Sequence, residues 1–192
     1  MITTKKGRRD GQLHVNLDSY FGTQQVTERL DLLDREGFEK YAIAYRGSQV
    51  PRLLPPMVNE PIYAGATQTY GQTNTDWQDA YFRRGLMTGH NIGLSSGNEV
   101  SRFYASAGYF DQRGTAPSVG FKRYNFRINS EHNISKVFTF GQTLYVGYGN
   151  RDYDNNETGS RTNLVNVIRM MPHMPVYDPT SIGGYRGVDA TK

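Results

Sequence analysis

The sequence has no cysteine among its 192 residues. That excludes a disulfide framework, a thiolate zinc site and thiol catalysis. Long apolar runs are also missing. No stretch approaches the roughly 18 consecutive apolar residues that a membrane helix needs. Hydrophobic residues make up 36% of the chain and mean hydropathy is −0.66, so a helical membrane protein is excluded. Neither charge dominates: 22 Lys and Arg oppose 18 Asp and Glu, a formal +4. The one basic cluster is Lys5, Lys6, Arg8 and Arg9. Other cations are scattered and trace no track for a phosphate backbone, so nucleic acid is not an expected partner. An apolar leader is absent too. Met1-Ile2-Thr3-Thr4 runs directly into charge, which implies either a protein that is not secreted or a chain starting inside a longer one.

Chemistry-bearing constellations are equally sparse. There is no P-loop, no G-x-S-x-G and no paired-carboxylate arrangement, so no enzyme and no cofactor is expected. His14, His90, His132 and His173 lack metal-ligand spacing. Asp152, Asp154, Asn156 and Glu157 suggest a calcium loop. The EF-hand pattern needs Gly at its sixth position and Glu at its twelfth, and here those positions hold Glu157 and Asn163. The stretch reads instead as a solvated loop.

What is abundant is 14 Tyr, 9 Phe and 21 Gly, a composition of strands and turns. Residues 12–21 alternate, with Leu13, Val15, Leu17 and Phe21 opposite His14, Asn16, Asp18 and Tyr20. Spacings of three and four from Leu30 to Tyr45 predict a helix over 28–46, capped by Thr27 and stopped by Gly47. Residues 48–75 carry four prolines and read as a long irregular connection. Further strands are predicted over 90–95, 101–112, 121–130 and 137–148. Short turns at 96–99 and 132–135 would fall on one rim. Long connections at 22–87, 113–120 and 150–192 would fall on the other.

Short turns on one rim and long loops on the other are the pattern of outer-membrane barrels. So are aromatics near strand ends, here Phe21, Tyr109, Phe110, Phe121, Phe138 and Tyr148. Arg123 and Arg127 test the idea. Facing lipid at mid-depth, each would cost about 2–4 kcal/mol. The parity of Tyr124, Phe126 and Ile128 turns both arginines to a watery lumen. Five strands cannot close a barrel, since the smallest bacterial single-chain barrels have eight. An open sheet in lipid would leave costly unpaired edges. The residues therefore leave two fold readings: a piece of a larger transmembrane barrel, or a soluble β-rich carbohydrate-binding domain.

Several motifs resemble one family. Ile2-Thr3-Thr4-Lys5-Lys6-Gly7 resembles the closing strand of the plug in SusC/RagA-like TonB-dependent outer-membrane transporters. Val15-Asn16-Leu17-Asp18-Ser19-Tyr20-Phe21-Gly22 resembles their first barrel strand. Thr75-Asp76-Trp77-Gln78-Asp79 with Phe82-Arg83, His90-Asn91-Ile92-Gly93-Leu94-Ser95-Ser96-Gly97 and Tyr104 to Gln112 follow in the family's order. So do Gly120 to Asn129 and Met174-Pro175-Val176-Tyr177-Asp178-Pro179.

The resemblance implies an all-β chain: five strands of a plugged, antiparallel 22-stranded barrel, with a short helix in a long outer loop. It places the end of the plug at 1–8, barrel strands with outer loops at 9–152 and an incomplete extracellular loop at 153–192. It implies a bacterial outer-membrane importer of glycans or peptides. The partners would be a SusD-like surface lipoprotein, the TonB complex acting through regions absent here, and outer-membrane lipid. The rest of the plug and some seventeen strands are not in the chain, so transport by this piece alone is not expected.

Candidate ligand or plug contacts follow. Trp77 beside Asp76 and Asp79 could stack a sugar, or simply anchor a loop. Arg123, Asn125, Arg127 and Asn129, with Tyr145 on the polar parity of its strand, would line the lumen.

Overall fold

A computed structural model describes residues 7, 9–46, 58–117, 119–153 and 163–186. They form two compact units, one from Met1–Gln25 with Arg84–Tyr153 and one from Val26–Arg83 with Asp154–Lys192.

The first unit is a five-stranded antiparallel sheet in chain order. Its strands are β1 (His14–Gln24), β2 (Gly85–Gly97), β3 (Ser101–Arg113), β4 (Gly120–Asn133) and β5 (Thr139–Asp152). At 11 to 14 residues each, they exceed the usual globular strand of about five or six. The turns are set by side chains that mimic backbone. Asn98 accepts from Val100 N–H at 2.9 Å and Ser101 N–H at 2.7 Å, closing the β2–β3 hairpin. Ser135 accepts from Phe138 N–H at 3.1 Å between β4 and β5. Both short turns lie on one rim, and the β1–β2 and β3–β4 connections leave from the other.

Register divides the sheet into two faces. One row runs Leu17, Ile92, Ala107, Phe126, Val146 across all five strands. The next runs Val15, Leu94, Ala105, Ile128, Leu144. Toward the long-loop rim these apolar rows give way to a line of rings. Phe21 meets His90 edge-on at 5.6 Å, His90 stacks on Tyr109 at 6.2 Å, and Tyr109 tilts against Tyr124 at 5.0 Å. Tyr148 continues the line 6.4 Å from Tyr124. No other element of this unit covers the face: Leu17 is 70% exposed, Leu144 53% and Phe126 40%.

Three expectations change. Strand β2 runs from Gly85, not from residue 90. Its polar face carries Gly85, Gly89, Gly93 and Gly97, a glycine content that reads as loop in sequence. At Gly89 the reason is steric, because a Cβ would lie 2.5 Å from the Tyr20 ring. Phe110 and Phe121 lie on the polar face, 6.1 Å apart, and so do not join the ring line of Phe21, Tyr109 and Tyr148. The predicted helix is shorter: α1 spans Arg35–Arg46. Its cap is Asp34, whose carboxylate accepts from Gly37 N–H at 2.8 Å, not Thr27. Gly47 lies outside the described residues.

The second unit holds α1, a short 3-10 turn at Tyr70–Gln72, α2 (Trp77–Tyr81) and α3 (Asn163–Arg169). Among the described residues the buried apolar side chains are Ala42, Ile62, Tyr70, Val167, Pro172 and Pro175, all in this unit. It thus unites the connection after β1 with the segment after β5, whereas the sequence reading kept these apart as two loops.

Candidate functional site

The polar face of the sheet collects most of the predicted residues. Alternation along β4 turns Arg123, Asn125, Arg127 and Asn129 to one side, and register adds Tyr145 directly opposite Arg127. The Arg127 guanidinium lies 5.3 Å from the Tyr145 ring centre, and Arg123 lies 5.9 Å from that of Phe110. Such stacking orients a guanidinium while leaving its N–H edge for a ligand. Asn125 packs where Gly108 has no side chain. Asp18, Tyr20, Asn91, Arg123 and Asn125 border one hollow of about 270 Å³ on this face. Asn129 is different: it is 5% exposed and borders a smaller hollow with Arg102, Glu131 and Gly7.

That second hollow is where the chain enters the sheet. Glu131 on β4 pairs with Arg102 at 2.5 Å and with Arg9 at 3.2 Å. Gly7 rests on the β2–β3 backbone, where a Cβ would fall 2.5 Å from Ser96 O and 2.7 Å from Phe103 N. Gly11, at φ +75°, turns the chain, and its N–H donates to Gly97 O at 2.8 Å. Asp10 then accepts from Gln12 N–H and from His14 at 2.6 Å. Those two bonds, the Gln12 backbone first, hold its carboxyl below the ordinary Asp value. Sequence reasoning missed Arg102 and Glu131. A lone Arg and Glu on separate strands give no local signal, and only the β3–β4 register pairs them.

Trp77 belongs to the second unit. Its indole N–H donates to Met171 O at 3.0 Å, and the ring borders a cleft of about 510 Å³ with Leu30, Leu33, Phe38 and Val167. The carboxylates beside it are committed to folding. Asp76 caps α2 through Gln78 N–H and Asp79 N–H, and Asp79 pairs with Arg29 at 3.1 Å. The arrangement anchors the loop and leaves the indole bordering a cleft.

Two buried polar centres in this unit escaped sequence analysis. His173 is fully buried, 3.0 Å from Glu39 and edge-on to Phe38. Asp178, 2% exposed, accepts from Thr180 and pairs with Arg186 at 3.3 Å. Arg186 in turn lies 5.6 Å from the Tyr70 ring centre.

Among the described residues no group of three or more His, Asp or Glu is placed to hold a metal ion. Of the calcium-loop candidates, Asp152 ends β5, while Asp154, Asn156 and Glu157 lie outside the described residues.

No family model matches the chain. Curated relatives do. The TonB-dependent receptor P3 of Formosa agariphila is 26% identical over 183 residues, covering 93% of this chain and 16% of that protein. The TonB-dependent receptor SusC of Bacteroides thetaiotaomicron is 27% identical over 198 residues, covering 96% of this chain and 17% of that protein. Among solved structures, the RagAB peptide transporter superposes with a TM-score of 0.72 at 23% identity, over 98% of this chain and 24% of that one. Its importer form in the open-open state gives 0.71. The class these findings define is the TonB-dependent receptors, and the chain is a relative of them. Within that class the likeness is to the SusC type, which the ordered motifs also resemble. The chain spans about a sixth of the length of the curated relatives it matches.

Proposed function

We propose that the chain is a contiguous wall of a larger outer-membrane barrel that imports glycans or peptides with energy delivered through TonB. The observation that carries this reading is the uncovered apolar face. A soluble sandwich would bury Tyr124, Phe126, Ile128, Phe138, Phe140 and Leu144 under a second sheet, yet Ile128 is only half-buried and the others are 40–55% exposed. Lipid is the solvent such a face fits. The opposite face, with paired guanidiniums and amides, then lines the interior. Residues 1–8 are the proposed end of a plug, and the pairing of Arg9 with Glu131 fixes the chain to that wall directly after it.

Arg123, Asn125, Arg127, Asn129 and Tyr145 are the proposed interior contacts to plug or ligand. Trp77 is the proposed outer-loop contact. Guanidinium and amide donors suit sugar hydroxyls and peptide carbonyls alike, so the polar wall serves either cargo. A SusD-like surface lipoprotein is the proposed partner, the membrane position is the outer membrane, and the protein lowers no chemical barrier.

The test is to express the complete gene product carrying this chain and follow its fractionation. It is expected in the outer membrane and soluble only in detergent. Monodisperse protein in plain buffer would overturn the membrane reading in favour of the soluble β-rich domain. Uptake of labelled oligosaccharides against labelled peptides then separates the two cargo classes.

A further inference from the structure

The outward face is not uniformly apolar. Beyond the ring line, toward the long-loop rim, the next row reads Phe21, Thr88, Asp111, Lys122, Asn150. Arg113 follows two residues after Asp111 on the same face. A groove of about 490 Å³ opens here, bordered by Phe21, Leu86, Thr88, Asp111 and Arg113. Its floor is apolar: Phe21 is 80% exposed and Leu86 53%. Its edge is charged. Asp111 already accepts the Tyr109 hydroxyl at 3.1 Å. Arg113 on the groove and Lys122 beside it, opposite Asp111 on the next strand, are exposed and, among the described residues, have no ion pair.

We infer that this groove docks a phosphate-bearing lipid of the outer leaflet, its phosphate on Arg113 and Lys122 and its acyl chain running from Phe21 past the ring line onto the apolar rows of Leu17 and Ile92. The inference rests on the reading of this face as lipid-facing. Position favours a lipid over a soluble anion. Tyrosines in membrane proteins sit at headgroup level, and the two cations lie just past Tyr109, Tyr124 and Tyr148 on the long-loop side. A free phosphate would gain nothing from the apolar floor. A neutral lipid would leave the cations unpaired. An amphiphile with an anionic head matches both parts of the groove, and Arg offers its planar fork to phosphate oxygens.

The test reconstitutes the complete gene product into phosphatidylcholine vesicles containing a minority of bisphosphorylated lipid A. Lipid retained after mild detergent extraction is counted by native mass spectrometry. Enrichment of lipid A over phosphatidylcholine is expected. Each cation near a charged surface contributes about fivefold. Replacing both in the Arg113→Gln, Lys122→Gln double variant should therefore lower the enrichment roughly 25-fold. Arg151→Gln, at the same rim on the polar face, should leave it unchanged. Equal retention by the double variant, or an equal loss in Arg151→Gln, would overturn the docking site. Insertion without enrichment sinks only the lipid site. Failure to insert at all sinks the membrane reading and the site with it.

Discussion

Gln78 holds Leu30 as a neighbouring strand would. Its side-chain amide accepts from Leu30 N–H at 3.0 Å and donates to Leu30 O at 2.7 Å. One buried residue on a five-residue helix thus satisfies both backbone groups of a residue 48 positions earlier. This contact explains why the helix begins at Arg35 although the apolar spacing begins at Leu30. The Leu30 backbone groups are taken by Gln78 and not by a helical turn.

Replacing Gln78 by Leu keeps the volume and removes both bonds. Each orphaned backbone group costs about 1–3 kcal/mol where water cannot reach it. The Leu30 amide should exchange with deuterium markedly faster than in the parent, while amides of β3 and β4 stay protected. Unchanged exchange at Leu30 would show that the clamp holds nothing.

The two faces of β5 make sidedness measurable. Leu144 and Thr143 are adjacent, both exposed, and point to opposite faces. Leu144→Arg should cost about 2–4 kcal/mol in the membrane and reduce the assembled protein, whereas Thr143→Arg, on the face away from lipid, should reduce it far less. Outer-membrane yield of the two variants in the complete gene product is the readout.

Gly7 leaves no room for a methyl group against Ser96 O and Phe103 N. Because the obstructing atoms are backbone, Gly7→Ala should lift the segment from the polar face at a cost of about 1–3 kcal/mol. Trypsin cleavage after Arg9 should accelerate by about tenfold or more. Glu131→Gln, which weakens the Arg9 and Arg102 pairs without crowding, should accelerate it less.

Asp178 supplies a pH dependence. The Thr180 hydroxyl foremost, then Thr180 N–H, Ser181 and Arg186, hold its carboxyl below the ordinary Asp value, outweighing the opposing effect of burial. With a folded pKa below the unfolded one, the unfolded chain binds the proton first as pH falls. The stabilisation is therefore complete above the ordinary Asp range and disappears below it. Arg186 N–H, which donates to Val176 O at 3.0 Å, should lose exchange protection as pH drops from about 6 to about 3. Asp178→Asn should remove that acid dependence.

The sheet was legible where alternation is local. β3, β4 and β5 follow directly from Phe103 to Tyr109, Tyr124 to Ile128 and Phe140 to Tyr148, and the polar side of Arg123 and Arg127 follows from parity. β2 was legible only from Ile92 and Leu94, because Gly89 answers to Tyr20 and Gly93 to Tyr104, both on other strands. The second unit was hardly legible. Its order depends on contacts such as Trp77 with Met171, His173 with Glu39 and Arg186 with Asp178, separated by 94, 134 and 8 residues. No periodicity marks such pairs. Asp76 and Asp79 show the converse: their types suggested a ligand, but their hydrogen bonds go to a helix start and to Arg29.

The chain-order meander also dictates how the sheet is put together. Hairpins β2–β3, β3–β4 and β4–β5 close loops of at most six residues, whereas β1 meets β2 only across residues 25–84. Closing a loop about ten times longer costs about 2 kcal/mol more in chain entropy. Strands β2 to β5 can therefore zip up as one block while β1 is still loose. β1 also carries the tether at Gly7 and Gly11 behind it. Its late docking would draw the preceding segment onto a wall that already exists, so the interior is furnished only after its scaffold stands.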